Sequence, residues 1–367
     1  MERRTLLKGV GAAAATALPA AVAMPAIAQG QPDLHWRLAS SYPKSLDTLF
    51  GGGAQVAKRV AAMTDNKWQI QVFAAGEIVG GAQVLDAVGS GTVECGHTLS
   101  NFYVGKDPTF AFDSCLPFGL NARQQIAWMQ HGGGRALIRD FMRDYGVHPI
   151  PACNTGAQMG GWFRKEINGV EDLKGLKMRI PGIPGQVIAR LGVVPQQIAG
   201  GDVYPSLERG TIDAAEWSGP YDDEKLGFVK IARNYYYPGW WEGGPQVSLY
   251  VNLQRWNDLP ESYKAILEAA CAETTSWMLA KYDAENPDAL RRLVAAGAQL
   301  KPFPRDVMEA AYKGAQALYV ELAASNPRFK TIYDAWSMFR DKQTTWFRIA
   351  ELPFDVFVAQ QAQQSRL

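Results

Sequence analysis

The stretch from Leu34 to Phe73 alternates between strand and helix patterns, and this alternation restricts the fold most strongly. Leu34–Ala39 and Trp68–Phe73 carry large apolar residues at every second position, which is typical of strands. Residues Leu46–Met63 between them have the pattern of a helix. Because a strand–helix–strand unit joins parallel strands, the chain is predicted to be α/β with a mainly parallel sheet.

A weak internal repeat indicates a second unit of the same kind. Val88–Glu94 is matched about 119 residues later by Leu207–Asp213, and both segments read as the end of a helix, a glycine and then a strand. A helix over Arg123–Arg143 and a strand over Val147–Ala152 are predicted between them. A chain of 367 residues is long enough for two domains. We therefore expect two α/β lobes with a ligand cleft between them.

The C-terminal third is predicted to be mostly helical. Three helices are expected before the tail, at Ser262–Tyr282, Asp288–Ala296 and Val307–Ala324. One strand is expected among them, at Gln299–Phe303. The tail continues with the helical segments Phe329–Phe347 and Phe354–Gln361. It carries more apolar surface than one neighbouring helix needs, so docking on its own protomer and exchange with a partner chain both remain open.

The N-terminus has the pattern of a leader for export. Arg3 and Arg4 precede an Ala-rich apolar stretch that ends at Ala28, which predicts a twin-arginine signal peptide over residues 1–28. Pro19 and Pro25 interrupt the stretch, which argues against a membrane anchor. Its removal would leave 34 Lys+Arg and 35 Asp+Glu, a net charge of about −1 that offers no basic surface to nucleic acid.

No constellation typical of an enzyme stands out. The four histidines are isolated, and the glycine runs at 51–53 and 132–134 lack the Lys-Ser/Thr ending of a phosphate loop. The four cysteines form no C-x-x-C pair, so disulfides and buried free thiols both remain open for Cys95, Cys115, Cys153 and Cys271. The sequence thus favours a binding protein over a catalyst.

Single polar residues among aromatics, near predicted strand ends, suggest a small-ligand cleft. Arg179 lies just before the proline and glycine that end the strand in Gly175–Gly182. A guanidinium there can hold a carboxylate through two parallel hydrogen bonds. Three further segments combine acidic or amide side chains with aromatics: Cys153–Trp162, Ile212–Pro220 and Tyr235–Pro245. Each of these segments can equally be ordinary core or loop packing.

In order and composition, the segments resemble the substrate-binding subunits of tripartite ATP-independent periplasmic (TRAP) transporters. The likeness is carried by the leader and by Gly76–Gly96, Gly175–Gly182 and Thr211–Pro220. It points to the branch that binds lactate and 2-oxo acids such as pyruvate. The resemblance implies the two-lobed periplasmic binding protein fold with long C-terminal helices. It also implies location in the periplasm and delivery of a small organic acid to a membrane permease, without catalysis.

The resemblance also assigns roles to individual residues. Arg179 would clamp the ligand carboxylate. Gln158 with its amide oxygen, Trp217 with its main-chain carbonyl, and Glu216 and Glu242 with their carboxylates would hold a sodium or calcium ion that bridges protein and ligand. The first lobe is expected to reach the ligand through Asn101, Phe102 and Tyr103.

Several alternatives stay open at this stage. The same fold could bind a sugar acid, a sugar alcohol or an aromatic acid, and an exported hydrolase or oxidoreductase is the alternative from another class. The resemblance further implies a homodimer that exchanges its C-terminal helix. The lobes are predicted to divide into residues 29–150, residues 151–240, a crossover region at 241–328 and the tail at 329–367.

Overall fold

The computed structural model describes residues 32–364. The predicted signal peptide, its cleavage after Ala28 and its twin-arginine route lie outside the described residues. Within residues 32–364, no helix is long and apolar enough to cross a membrane.

The first lobe is built on a five-stranded sheet. Its strands are β1 (Leu34–Ser40), β2 (Trp68–Phe73), β3 (Cys95–Thr98), β4 (Val147–Asn154) and β10 (Gln246–Asn252). Their spatial order is β2-β1-β3-β10-β4. The strand β1 pairs in parallel with β2 and β3, with Leu34 opposite Trp68, whereas β10 runs antiparallel to both of its neighbours. The predicted parallel opening unit is confirmed.

The second lobe has a six-stranded sheet of shorter strands. They are β5 (Trp162–Phe163), β6 (Lys177–Arg179), β7 (Val194–Gln196), β8 (Ala214–Ala215), β9 (Asn234–Tyr237) and β11 (Gln299–Pro302). Their order is β11-β9-β5-β8-β6-β7, and β6 pairs in parallel with β7 and β8. The two halves of the internal repeat lie in different lobes. Gly91 and Gly210 both adopt positive φ between a helix and a strand, as the repeat predicted.

Twelve helices cover the described part of the two sheets and form the C-terminus. They are α1 (Leu49–Met63), α2 (Val84–Gly89), α3 (Ala122–His131), α4 (Gly134–Arg143), α5 (Gly182–Ala189), α6 (Gly200–Glu208), α7 (Pro220–Leu226), α8 (Leu253–Asp258), α9 (Glu261–Ala295), α10 (Arg305–Ser325), α11 (Pro327–Ala350) and α12 (Leu352–Gln364).

Two helix predictions were wrong in detail. The single helix expected over Arg123–Arg143 is broken between α3 and α4, where Gly133 takes the left-handed conformation at φ 88°. Conversely, the two helices expected on either side of Pro287 form one continuous helix of 35 residues, α9, with the proline inside it. This helix packs on α1 and β4 of the first lobe and on α7 of the second, so it spans both lobes.

All four cysteines are buried free thiols, which decides between the two possibilities left by the sequence. Cys153 lies at the carboxyl end of β4. Its sulfur would be 2.6 Å from a Cβ on Gly52, so the first turn of α1 needs glycine for close packing on the sheet. The glycine run at 51–53 therefore serves helix packing.

The C-terminal helices divide into a docked and an exposed part. In α11, Phe329, Ile332 and Trp336 are buried against the protein's own first lobe, where Phe112 contacts Phe329 and Trp336. Beyond them Trp346 is 59% exposed, and the large apolar side chains of α12 described by the structure are all exposed. Docking on the same protomer therefore accounts for the first half of the tail only.

Candidate functional site

A small cavity lies where the edges of the two sheets meet. It offers about 30 Å³ to the centres of water-sized groups. Both lobes and the segments that cross between them contribute to its wall. The lining residues are Tyr42, Leu49, Leu99, Phe102, Thr155, Gln158, Arg179, Pro181, Glu216, Trp217, Ser218, Glu242 and Val247. Six of the eight predicted site residues line it, and five of these six belong to the second lobe and the crossing segments.

Arg179 is the last residue of β6, and its side chain is almost completely buried. Its Nη1 donates to the main-chain oxygen of Glu216 at 2.9 Å and to the Glu216 carboxylate, and its Nε donates to the Ile198 oxygen at 3.3 Å. The guanidinium also lies 4.8 Å from the ring centroid of Trp217. These contacts hold the group in place while Nη2 has no protein acceptor among the described residues.

Glu216 and Glu242 are both 2% exposed, and both line this cavity. Burial raises the pKa of Glu216 well above its ordinary value, although the Arg179 guanidinium acts in the opposite direction. Burial also raises the pKa of Glu242, against hydrogen bonding from Asn101 and attraction by Arg179. With both carboxylates ionised, one guanidinium would leave the cavity with one excess negative charge, which favours the entry of a cation.

Gln158 comes to the site on the turn between β4 and β5. Its main-chain nitrogen donates to the Glu242 oxygen at 3.3 Å, and its Nε2 donates to the Thr155 hydroxyl at 3.2 Å. Its Oε1 is buried and has no hydrogen-bond donor among residues 32–364. The turn depends on Gly161, which has φ 87° and would bring a Cβ within 2.7 Å of the Ala215 oxygen. An unpartnered buried oxygen is costly unless another group binds it.

These oxygens fit a hard cation such as sodium or calcium, which takes carboxylate and carbonyl ligands. Two carboxylates and one free amide oxygen converge on one cavity. Within the described part of the chain, however, no group of three His, Cys, Asp or Glu side chains is arranged to hold a metal. A cation here would need further oxygens, and a carboxylate ligand in the same cavity can provide them.

The three first-lobe residues predicted to reach the ligand have different positions. Phe102 lines the cavity. Asn101 does not line it directly, but its Nδ2 donates to Glu242 Oε1 at 3.2 Å, so it orients that carboxylate. Tyr103 points into the first-lobe core, where its hydroxyl bonds to Thr98 Oγ1 at 2.6 Å and to the Leu85 nitrogen. The structure thus does not bring Tyr103 to the site.

The sequence analysis did not single out three polar residues of the cavity wall. Thr155 and Ser218 lie inside segments already noted for their composition, so a closer reading of hydroxyl groups there could have found them. Tyr42 follows β1 and is 2% exposed, and its hydroxyl has no partner among the described residues. No local pattern in the sequence distinguishes it from a core tyrosine.

Comparison with known proteins gives consistent matches over nearly the whole chain. A model of the family described as bacterial extracellular solute-binding protein, family 7, matches residues 39–326. A Nostoc sp. protein named monocarboxylate 2-oxoacid-binding periplasmic protein is 51% identical over 364 residues, which cover 98% of this chain and 99% of its own length.

Two crystal structures share the fold. A TRAP transporter solute-binding protein of Bordetella bronchiseptica RB50 is 51% identical, with a TM-score of 0.90 over 91% of this chain and 100% of its own. It is a mixed-occupancy dimer with copurified calcium and picolinate in one site and an apo second site. A TRAP periplasmic protein of Pseudoalteromonas atlantica T6c, with bound sodium and pyruvate, is 36% identical, with a TM-score of 0.85 over 88% and 98% of the chains. These matches confirm the predicted two-lobed fold.

Proposed function

The chain belongs to family 7 of the bacterial extracellular solute-binding proteins, and from that premise we propose that it captures a small 2-oxo or 2-hydroxy monocarboxylate between its lobes. Family membership makes it a binding protein of TRAP type, not an enzyme, as the sequence predicted. The ligand class is our proposal. It draws support from the 2-oxoacid-binding Nostoc relative and from pyruvate in the Pseudoalteromonas structure.

The observation that carries this proposal is the state of Arg179. The guanidinium is buried and fixed by Glu216, Ile198 and Trp217, yet its Nη2 remains without a protein acceptor in the described chain. A carboxylate in the cavity would accept from Nη2 and match the buried positive charge. An uncharged sugar alcohol could accept the Nη2 hydrogen bond only as a neutral partner, which makes the weaker bond.

A cation would bind beside the arginine through Gln158, Glu216, Glu242 and the main-chain carbonyl of Trp217. The 2-oxo oxygen and the carboxylate of the ligand would complete its ligands. Arg179 offsets only one of three negative charges, which are the two glutamates and the ligand. A divalent ion such as calcium therefore balances the site, whereas sodium leaves one excess negative charge. Elemental analysis of natively purified protein would distinguish the two ions.

Capture is expected to proceed by closure of the two lobes, because both contribute to the cavity wall. Ligand and cation would stabilise the closed form. We propose that the chain is exported to the periplasm and presents the closed lobes to the membrane permease. We further propose the lobe division predicted from the sequence, with the crossover at residues 241–328 as part of the hinge.

We also propose that the protein forms a homodimer through its C-terminal helices. The exposed apolar side chains of α12 support this, since no part of the described protomer covers them. The Bordetella relative is a dimer. Exchange of α12 between protomers would bury these side chains against a second copy.

The test of ligand capture is titration calorimetry of Arg179→Ala with pyruvate in buffer that contains calcium. Truncating one partner of a buried charge pair costs about 2–5 kcal/mol, so the affinity should fall by about 30-fold or more. Arg190→Ala is the matched control, because Arg190 lies in the same lobe but pairs with Glu321 at the surface. That variant should bind pyruvate like the unmodified protein. Equal affinity of Arg179→Ala and Arg190→Ala would refute the assignment.

A further inference from the structure

Two segments that border the candidate site also join the lobes beside it. The first-lobe loop at 41–48 contributes Tyr42 to the cavity wall and leads directly into Leu49, another wall residue. In the second lobe, the wall residue Ser218 is followed by α7, which begins at Pro220. The loop and the helix thus approach the cavity from opposite lobes.

A buried hydrogen bond connects these two segments. The Thr48 hydroxyl donates to Asp222 Oδ1 at 2.7 Å, and both residues are fully buried. Tyr282 of α9 donates to the other oxygen of this carboxylate at 2.6 Å. Burial raises the pKa of Asp222, although the bonds from Tyr282 and Thr48 act in the opposite direction. Loss of the Thr48 hydroxyl would leave a buried carboxylate with one donor fewer, which is unfavourable.

A partly exposed cluster of ion pairs lies next to this bond. Asp47 of the loop accepts hydrogen bonds from Lys225 of α7 and from Lys281 Nζ of α9, the latter at 2.6 Å. Its Oδ2 also accepts from the Tyr221 hydroxyl at 3.0 Å. Burial alone would raise the pKa of Asp47, but its hydrogen bonds to these partners lower it to about 2. The charges of Asp47 and Asp222, when ionised, balance those of the two lysines.

The opposite side of α7 is fixed to its own lobe. Asp223 accepts from Trp162 Nε1 at 2.9 Å and from the Tyr235 hydroxyl at 2.7 Å, both in the second-lobe sheet. It also accepts from the main-chain nitrogen of Ser218 at 3.3 Å. We therefore expect α7 to move with the second lobe, so that opening of the lobes breaks its bonds to the loop at 41–48.

We propose that the loop and α7 form an interlobe latch, which holds the lobes closed and sets how long the ligand stays bound. This inference rests on the proposed function and assigns the control of release to residues outside the cavity wall. Their effect on the ligand is indirect: contacts made only in the closed form slow its opening, and release follows opening. The residues of the latch are Asp47, Thr48, Tyr221, Asp222 and Lys225.

The first experiment measures pyruvate binding by stopped flow on the full chain with calcium. Tryptophan fluorescence gives the signal, because Trp217 lines the cavity. The slope and intercept of the observed rate against pyruvate concentration give the association and release rate constants. Thr48→Val keeps the size of the side chain and should accelerate release about tenfold, with the association rate constant within about twofold. An unchanged release rate would overturn the proposal.

The second experiment tests the ion pairs with a matched control on the same helix. Asp47→Asn should accelerate release about threefold or more, because it removes the charge that two lysines share. Asp47→Glu should restore part of this loss. Glu224→Gln is the control, since Glu224 lies on α7 but pairs with Arg292 of α9 at 2.7 Å. Equal release rates in Asp47→Asn and Glu224→Gln would contradict the proposal.

Ionic strength supplies a readout that a merely structural role would not move. Raising choline chloride from about 0.05 to about 0.5 M screens the ion pairs without adding sodium, and should accelerate release from the unmodified protein about twofold or more. This acceleration should be smaller in Asp47→Asn. An equal response in both proteins would remove the ion pairs from the proposal.

Failure of the latch differs from failure of the proposed function. If the proposed function is wrong, the unmodified protein does not bind pyruvate, or Arg179→Ala binds it with equal affinity. If only the latch is wrong, the unmodified protein binds pyruvate and Thr48→Val and Asp47→Asn release it at the same rate as the unmodified protein.

Discussion

The interlobe site has buried polar groups that lack polar partners, whereas the C-terminal helix α12 has exposed apolar side chains that lack an apolar one. At the site, polar groups are buried without sufficient partners: Gln158 Oε1 has none in the described chain, and the Arg179 guanidinium, which attracts both buried glutamates, is ion-paired with Glu216. In α12, apolar side chains such as Phe354 and Phe357 are 67% and 61% exposed. Both arrangements are unfavourable for an isolated protomer.

The difference shows what each region requires. A buried, charged and hydrogen-bonding cavity calls for an ion and a polar ligand that match it atom by atom. An exposed apolar helix calls for another apolar surface, with little geometric demand. If this is right, ligand binding and assembly should respond to separate sets of variants.

The largest expected effect concerns assembly. A chain that ends at Glu351 lacks α12 and should be a monomer by light scattering, whereas the full chain should be a dimer. Its affinity for pyruvate should stay within about twofold, because no residue of α12 lines the site.

A point variant refines this test. Phe357→Ser should weaken the dimer, and Gln360→Ser on the same helix should not, since only the former removes an exposed apolar side chain. A full chain that is monomeric at micromolar concentration would contradict the account of α12.

The next effect distinguishes the docked half of the tail from the exposed half by how much each contributes to the free energy of unfolding. Trp336 is 2% exposed and Trp346 is 59% exposed, both on α11. In the chain that ends at Glu351, Trp336→Ala should lower the free energy of unfolding by about 3–5 kcal/mol, and Trp346→Ala by about 0.5 kcal/mol or less. Urea unfolding of the two variants measures this directly. Similar losses would mean that the border between docked and exposed tail lies elsewhere.

A smaller effect concerns a buried carboxyl group that has no role in ligand binding, and it tests whether burial raises the pKa of that group. Asp113 is buried in the first lobe but accepts hydrogen bonds from Gln246, Ser248 and Tyr250. Burial raises its pKa from 3.8 to about 7, although these three hydrogen bonds act in the opposite direction. The folded state thus holds a proton that the unfolded state releases above about pH 4.

The sign of the pH dependence follows from this shift. The stability that Asp113 contributes is fully present below pH 3.8, declines as the pH rises toward 7, and is constant above that pH. Asp113→Asn cannot titrate, so the difference in unfolding free energy between the two proteins should change between pH 5 and 7 and level off by pH 8. A constant difference over this range would show that Asp113 is ionised in the folded protein.

Local patterns predicted much of the fold. Alternation of apolar residues located β1 and β2, and the proline and glycine after Arg179 correctly placed that residue at the end of β6. The break at Gly133 and the continuity of α9 through Pro287 were missed: the break lies at a left-handed glycine, and α9 packs on both lobes with the proline inside it. Propensity is a weak guide where neighbouring elements decide.

The site was less accessible to prediction than the fold. Arg179, Gln158, Glu216, Trp217 and Glu242 were identified through resemblance to a family, and the structure brings them into one cavity. Tyr42 on the cavity wall had no signal at all, because no local pattern distinguishes it from a core tyrosine. Wall residues far apart in sequence form no pattern until the lobes are assembled.

The central claim, that ligand and cation bind together in this site, is tested most directly by measuring pyruvate affinity with and without the cation. Titration calorimetry should show strong binding in calcium and a loss of about tenfold or more after chelation in sodium-free buffer. By linkage, saturating pyruvate should increase calcium affinity by the same factor. Equal pyruvate affinity in the two buffers would contradict the account.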